Sequence, residues 1–304
     1  MHAAHPIDVR PEVAADLKAG RPVVAMSTAA IAHSLPWPEN LEIAKLAEAA
    51  ARQERVTLTS VAVWKGRLTV GLSASEIEAL AHGASTLRAG RRDLATAAVR
   101  GATAATTVSA SIQIAHQAGI RLLITGAIGG VGGVNSNVWD ISADLVELAR
   151  NPVAVVTSGV RSVLDLNSTA EMLESYSVPV LGFGTESLPV FYQRPANQLA
   201  SMRVDAPAEV AAMLAMHWSI NGMGVVVANP TPSELALSPD ELQPALVEVK
   251  QQAAAAKVKA RDLPPFLMGR LNRLTKGRAL RAYRGSMEAN ARLAAQIAHA
   301  MAAT

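Results

Sequence analysis

The stretch from Ile124 to Leu166, ITGAIGGVGGVNSNVWDISADLVELARNPVAVVTSGVRSVLDL, decides the fold class. An apolar strand runs into a glycine-rich loop, an acidic turn opens a short helix, and a second apolar strand and turn follow. Short buried strands alternating with helices are typical of a mostly parallel sheet covered on both faces. Ligands of such sheets bind at the carboxyl ends of the strands, so we expect the site at this loop.

The same alternation continues on both sides of this stretch. Further strands are predicted at Pro22–Met26, Leu58–Trp64, Arg67–Val70, Val178–Phe183 and Gly224–Ala228, the second and third joined by a hairpin turn. Helices are predicted at Asn40–Glu54, after a capping box at Ser73 and Glu76, over the whole of Thr103–Ala118, at Pro244–Lys259, and in two segments beyond. No linker interrupts the pattern, which favours one α/β domain over residues 1–304.

Composition excludes several classes of protein. Half of the 304 residues are hydrophobic, 3% are aromatic, and the net charge is +3. Cysteine is absent, which excludes disulfides and thiolate metal sites. No basic run with interleaved aromatic residues predicts nucleic-acid binding, and no apolar run is long enough for a membrane span. Without an apolar leader segment at the N-terminus, we expect a cytoplasmic protein.

Hydroxyl-bearing residues crowd one predicted helix start. Thr106, Thr107, Ser109 and Ser111 lie together there, and free N–H groups with hydroxyls form a natural phosphate cradle. The alternative is a helix of small residues packed on the sheet with ordinary caps. The glycine-rich loop Gly126–Gly133 matches neither a GxGxxG nor a Walker pattern, so it indicates phosphate contact only weakly.

Two carboxylates four residues apart follow that loop. If the helix begins at Ile141, Asp140 is its N-cap and Asp144 lies one turn later, where carboxylates suit a hard cation. Simple capping is the alternative. His33 is either an acid–base group or a hydrogen-bonded turn histidine. The basic turn at Arg88, Arg91 and Arg92 is either a surface cluster or an anion clamp facing the Thr106 region.

Together these segments resemble one family, the pseudouridine-5'-phosphate glycosidases. The matching segments, which span nearly the whole chain, are Val23–Ala25, Ile31–His33 with Pro36, Gly71–Ser73, Gly90–Leu94, Ala105–Val108, Gly126–Val131, Asp140–Leu145, Ser162–Leu166, Val227–Pro230, Pro265–Leu267 and Asn290. The resemblance implies a single α/β/α unit around a mixed, mostly parallel sheet, usually assembled as a homotrimer. It also implies a ring-opened ribose 5-phosphate, a Schiff-base lysine and a divalent metal, typically Mn²⁺.

The resemblance assigns roles to residues of the acidic turn. By position, Asp140 matches the metal ligand. Ser142, Ala143 and Asp144 match the substrate-binding turn, and Thr107 and Val108 match a segment that contacts substrate. Asn290 also falls among the matching segments, and we expect it to bind substrate.

The sequence departs from the family at its catalytic positions. The family's acid–base glutamate falls on Ser27, its Schiff-base lysine on Arg161 and a second active-site lysine on Arg88. A histidine of the metal loop falls on Gly132 or Asn137. Guanidinium stays protonated and cannot form an imine, and the chain has no lysine between Lys65 and Lys250.

These departures predict an altered chemistry that keeps the anionic sugar. The chain resembles natural-product C-glycosynthases of the alnumycin type, which implies joining ribose 5-phosphate to an aromatic or heterocyclic acceptor through a C–C bond. We expect Arg88, Arg161, His33 and Ser27 to be the catalytic positions. The alternatives are a sugar-phosphate-binding pseudoenzyme and a residual glycosidase that cleaves pseudouridine 5'-phosphate.

Overall fold

Eleven strands form one sheet in the computed structural model of the chain, which describes residues 7–83, 86–132, 140–193, 202–258 and 263–303. The strands are β1 Ile7–Val9, β2 Val23–Ser27, β3 Thr57–Trp64, β4 Arg67–Val70, β5 Leu87–Ala89, β6 Ala104–Thr106, β7 Leu122–Thr125, β8 Ala154–Thr157, β9 Val180–Phe183, β10 Met202–Val204 and β11 Val225–Ala228. Their order is β1-β4-β3-β2-β7-β8-β11-β9-β10, and β6 branches from β3 and carries β5.

The helices connect and cover these strands. They are α1 Pro11–Lys18, α2 Ala29–His33, α3 Glu39–Gln53, α4 Ala74–His82, α5 Leu94–Val99, α6 Val108–Gln117, α7 Ala143–Leu148, α8 Leu166–Ser175, α9 Pro207–Ser219, α10 Pro239–Ala255, α11 Leu263–Leu274 and α12 Arg278–Ala302. None of the described helices is long and apolar enough to cross a membrane.

The sheet is mixed and mostly parallel, as predicted. Within the described ranges only the pairings of β3 with β4 and with β6 are antiparallel. The central strands β2, β7, β8 and β11 run parallel to one another, so their carboxyl ends share one edge. Two large apolar clusters, which contain Val24 and Val156 on one side and Ala25 and Val155 on the other, cover the two faces. Alternate residues of a strand point to opposite faces, which explains this division.

Local signals in the sequence placed several elements correctly. Ser73 and Glu76 form the predicted capping box at the start of α4. The strands β3 and β4 form the predicted hairpin around Lys65 and Gly66, both of which have positive φ angles. The helix predicted from Pro244 begins earlier, at Pro239, because Ser238 and Glu241 form a second capping box.

Two predicted elements were wrong in ways that affect the site. The segment Thr103–Ala118 is not one helix: its first part forms β6, which pairs with β3 and β5, and α6 begins only at Val108. Asp140 is not the N-cap of the following helix. Ile141 instead forms a bridge with Val131, and the side chain of Ser142 caps α7.

Candidate active site

A hydrogen-bonded network joins the carboxyl ends of the four central strands. Ser27 Oγ, at the end of β2, donates to Thr125 Oγ1 of β7 over 3.2 Å. The Asn290 amide of α12 donates to the Thr125 carbonyl at 2.9 Å, and its oxygen accepts from Ser158 Oγ at 3.2 Å and Asn229 Nδ2 at 3.0 Å. Asn290 thus ties α12 to this edge, and its side chain is fully buried.

Ser27 occupies the position where an acid–base glutamate was expected. Its side chain is buried, and its hydroxyl is engaged by Thr125. The next residue, Thr28, continues the polar layer, since its hydroxyl donates to the Val61 carbonyl and accepts from the Thr106 N–H. Ser27 therefore contributes a neutral hydroxyl to the polar layer at the carboxyl ends of the strands.

The start of α6 presents backbone N–H groups to the same region. Thr107 is its N-cap residue, and its hydroxyl contacts Ser109 Oγ at 2.9 Å. The Ser109 N–H donates to Asp144 Oδ1 at 2.9 Å, whereas those of Val108 and Ala110 have no acceptor within the described parts of the chain. A helix N-terminus with unengaged N–H groups attracts anions.

Asp144 holds the glycine-rich loop against the start of α6. Its second oxygen accepts from the Gly129 N–H at 2.8 Å, and its side chain is 3% exposed. A Cβ atom on Gly129 would lie 2.1 Å from Ser142 Oγ and 2.9 Å from Asp144 Oδ2, so only glycine fits there. Both oxygens of Asp144 are thus committed to the backbone, and Asp144 organises the loop.

Arg161 brings a positive charge to this carboxylate. It lies four residues beyond β8, its Nη2 is 3.9 Å from Asp144 Oδ2, and one third of its side chain is exposed. Its N–H donates to the Ile128 carbonyl, which fixes its backbone to the glycine-rich loop. A guanidinium held this way can donate hydrogen bonds to a substrate oxygen.

Three aromatic side chains form one wall beside Arg161. The ring centroids of Phe191 and Tyr192 are 3.9 Å apart, and Tyr283 lies 5.3 Å from Phe191 and 6.5 Å from Tyr192. Burial raises the pKa of both tyrosines, and the Arg161 charge opposes that shift in each.

This aromatic wall is not predicted from the sequence. One signal was available, because the chain has only three tyrosines and three phenylalanines. Tyr192 also has a φ of 75°, a left-handed conformation that is uncommon for a bulky residue and clusters at functional sites.

The other predicted catalytic residues lie at the margin of this edge. His33 is the last residue of α2, directly before Ser34, whose side chain hydrogen-bonds Tyr283. Arg88 lies in β5 opposite Ala105 of β6 and is half-buried. The basic turn that follows β5 does face the start of α6, since the Arg91 N–H donates to Ser109 Oγ at 3.4 Å.

The predicted metal ligand Asp140 lies on the outer side of the acidic turn. Its side chain is exposed, its carbonyl accepts from the Gly132 N–H at 2.6 Å, and its carboxylate lies against Gly132. Within the described ranges, no three histidine or carboxylate side chains gather to hold a metal, and Asn137 lies outside those ranges. A metal at this position would therefore have one protein carboxylate as its ligand. This arrangement suits a hard cation that keeps several water ligands.

Comparisons with known proteins agree with the fold. The family model described as indigoidine synthase A like protein matches residues 12–300. The pseudouridine-5'-phosphate glycosidase of Petrotoga mobilis is 39% identical over 293 residues, 96% of this chain and 96% of that protein. Pseudouridine-5'-phosphate glycosidase 2 of Rhizobium johnstonii is 42% identical over 292 residues, 96% and 94% of the two chains.

Two solved structures share the architecture. The prealnumycin C-glycosynthase AlnA, in complex with ribulose 5-phosphate, has a TM-score of 0.89 and 31% identity, covering 99% of this chain and 98% of that one. An indigoidine synthase A (IdgA)-like protein from Thermotoga maritima has a TM-score of 0.87 and 31% identity, covering 98% of each chain. The chain therefore belongs to the pseudouridine-5'-phosphate glycosidase family, a family of enzymes.

Proposed function

We propose that this protein joins open-chain ribose 5-phosphate to an aromatic or heterocyclic acceptor through a C–C bond, without a Schiff base. The observation that carries the proposal is Arg161, which stands where the resemblance places the imine-forming lysine and whose guanidinium lies 3.9 Å from the Asp144 carboxylate. The similarity to a C-glycosynthase in complex with ribulose 5-phosphate supports the same class of substrate.

The start of α6 is the proposed phosphate site. The N–H groups of Val108 and Ala110 and the hydroxyl of Thr107 lie there, and the helix dipole adds a partial positive charge. Asp144 already takes the Ser109 N–H, so the phosphate would use the remaining donors, with Ser142 on the facing turn. Arg88 is proposed to add charge from the neighbouring strand β5.

Arg161 would act on the reacting carbonyl at C1. As the acceptor carbon attacks C1, the carbonyl π pair moves onto oxygen, and the guanidinium donates hydrogen bonds to that oxygen. The oxygen then takes a proton, and the acceptor ring loses the proton from its attacking carbon. Ring closure of the sugar with loss of water completes the C-glycoside, so a lysine is not required at any step.

A divalent metal is part of the proposal, with Asp140 as its protein ligand. When bound, a hard cation such as Mn²⁺ would neutralise negative charge on the sugar phosphate or polarise its carbonyl. A single carboxylate is compatible with an ion that keeps several waters. A homotrimeric assembly and a role in natural-product biosynthesis are further parts of the proposal, taken from the resemblance.

Product formation tests the proposed reaction. The protein is incubated with Mn²⁺, ribose 5-phosphate and a panel of phenolic acceptors and heterocyclic acceptors other than uracil, and mass spectrometry records condensation products that equal the reactants less one water. Pseudouridine 5'-phosphate cleavage is measured in parallel. The proposal predicts a condensation product and at most slow cleavage, whereas efficient cleavage would contradict it.

A binder without turnover is the second candidate, because Ser27 and Arg161 replace both catalytic groups that the resemblance implies. Tight binding of ribose 5-phosphate without product from any acceptor would favour that reading. The double variant Ser27→Glu with Arg161→Lys separates the two candidates further. Robust cleavage of pseudouridine 5'-phosphate by this variant would show a glycosidase pocket that has merely lost its catalysts.

A further inference from the structure

The hydroxyl end of the Tyr283 ring lies on the carboxyl end of β7. A Cβ atom on Gly126 would approach Tyr283 Cζ to 3.3 Å and Cε2 to 3.4 Å, closer than most real Cβ contacts. The glycine thus lets the phenol lie directly over the backbone where the strand ends. The Tyr283 hydroxyl also hydrogen-bonds Ser34, which follows β2 and α2. The positive charge of Arg161, which follows β8, is close enough to lower the pKa of this hydroxyl.

The proposed reaction needs a group that exchanges a proton, and the side chains of Ser27, Arg161 and Asp144 are poorly suited to this task. Ser27 is a buried hydroxyl bonded to Thr125. The guanidinium of Arg161 serves as a hydrogen-bond donor and not as an acid–base group. Asp144 accepts backbone N–H groups with both oxygens. A phenol at the centre of this arrangement can give up a proton and take it back.

The surroundings of Tyr283 suit a proton donor. Burial raises the pKa of its hydroxyl, so the resting group is the neutral phenol. Arg161 and the Ser34 hydrogen bond act in the opposite direction and favour the phenolate. The phenol is therefore protonated before reaction. The positive charge of Arg161 stabilises the phenolate that forms when the proton is transferred.

Resting on the proposed function, we propose that the Tyr283 hydroxyl donates the proton to the C1 carbonyl oxygen of the sugar as the carbon–carbon bond forms. The electron pair of the acceptor carbon forms the bond to C1, the carbonyl π pair moves to oxygen, and that oxygen takes the Tyr283 proton. The phenolate then removes the proton from the attacking ring carbon, which restores both the aromatic acceptor and the phenol.

Tyr192 provides a matched control within the same wall. It is as deeply buried as Tyr283, with 4% and 5% exposure, and the two ring centroids are 6.5 Å apart. Its hydroxyl contacts Met268 Sδ of α11, whereas that of Tyr283 contacts Ser34. Tyr192→Phe therefore removes an equally buried phenol oxygen without removing the proposed donor.

The test compares Tyr283→Phe and Tyr192→Phe with the parent protein, after thermal melts show that all are folded. Calorimetry gives the affinity for ribose 5-phosphate, and ¹³C NMR of the C1-labelled sugar reports polarisation of its bound carbonyl. Tyr283→Phe should bind within roughly threefold of the parent, a small change on the free-energy scale. It should lose the downfield shift of the carbonyl signal and lower the product-forming kcat about 10²–10⁴-fold, the usual worth of general acid–base catalysis. Tyr192→Phe, which leaves the proposed donor in place, should diminish both far less than Tyr283→Phe does.

An unchanged carbonyl signal and kcat in Tyr283→Phe would overturn the assignment and leave the proposed function intact. Equal losses in both variants would also overturn it, because they would indicate a packing effect. Gly126→Ala gives a second perturbation, since its added methyl group would lie 3.1 Å from Phe191 Cζ and 3.3 Å from Tyr283 Cζ, so both rings must shift, and it should reproduce part of the loss. If the parent protein binds no sugar phosphate, or binds it only in the cyclic form, both the proposed function and the Tyr283 assignment are wrong.

Discussion

Asp144→Asn should destabilise the protein far more than an exposed substitution of the same type. The Asp144 carboxylate accepts the Ser109 N–H at 2.9 Å and the Gly129 N–H at 2.8 Å, and it is 3.9 Å from the Arg161 guanidinium. The amide of asparagine offers one acceptor oxygen where two are needed. One buried N–H group then faces another donor, and Arg161 loses its counter-charge.

The size of the effect follows from these contacts. A hydrogen bond to a charged group contributes about 1.5–3 kcal/mol, and leaving a buried donor unsatisfied costs about 1–3 kcal/mol. Because the two terms overlap, we expect Asp144→Asn to lower the free energy of unfolding by about 2–4 kcal/mol. Asp205→Asn is the matched control, since that carboxylate is exposed and pairs with Arg203, and it should lower the free energy of unfolding far less.

Urea unfolding followed by circular dichroism measures both variants against the parent. A stability loss in Asp144→Asn no larger than that in Asp205→Asn would refute the view that this carboxylate organises the loop. A loss of stability of the predicted size in Asp144→Asn, together with weaker sugar-phosphate binding, would show that the folded loop is needed for binding at the site.

Three further predictions address the charges around the site and the fold. Arg88→Ala should weaken ribose 5-phosphate binding in calorimetry by about 1.5–3 kcal/mol, the worth of a charged hydrogen bond, while the affinity for ribose stays unchanged. Asp140→Ala should weaken Mn²⁺ binding at least roughly tenfold in a spin-resonance titration, because a hydrated ion held by one carboxylate depends on it. Equal Mn²⁺ affinity in the variant would exclude Asp140 as the ligand. The hydrogen bond from the Ser73 N–H lowers the pKa of Glu76 from its usual 4.5, so this group stabilises the folded state above pH 4.5 and loses that effect as pH falls through the lowered value. Glu76→Gln should therefore be less stable than the parent at pH 7 by about 0.5–2 kcal/mol, and urea unfolding should show this gap closing in acid.

The sequence predicted those parts of the fold that depend on local patterns. The parallel core follows from short apolar runs, and the start of α4 follows from the reciprocal bonds of Ser73 and Glu76. These features need only a few neighbouring residues, so they are visible without knowledge of the rest of the chain.

The errors arose where distant contacts override local preference. Ala104–Thr106 has a helix-compatible sequence, yet the segment becomes a strand because β3 offers an antiparallel partner and Val61 an acceptor for the Thr106 hydroxyl. The local sequence predicts Asp140 as a helix N-cap. The bridge between Ile141 and Val131 keeps the chain extended there, so Ser142 is the N-cap instead.

The structure brings together part of the predicted site and adds an aromatic part that was not predicted. The stretch around Asp144 and the position of Arg161 are recognisable as segments of sequence, and the structure places them 3.9 Å apart. Tyr192 and Tyr283 are separated by 90 residues and reach the site from a loop and from α12. No local pattern links them, and only the packing of α12 across the strand ends brings them together.

Trapping with borohydride tests most directly the claim that this site handles the C1 carbonyl of ribose 5-phosphate without an imine. The protein is saturated with ribose 5-phosphate, at a concentration set by calorimetry, then reduced and weighed intact by mass spectrometry. We predict measurable binding and an unchanged protein mass, because Arg161 cannot form a Schiff base. A stable sugar adduct on any lysine, dependent on the phosphate group of the sugar, would contradict the account.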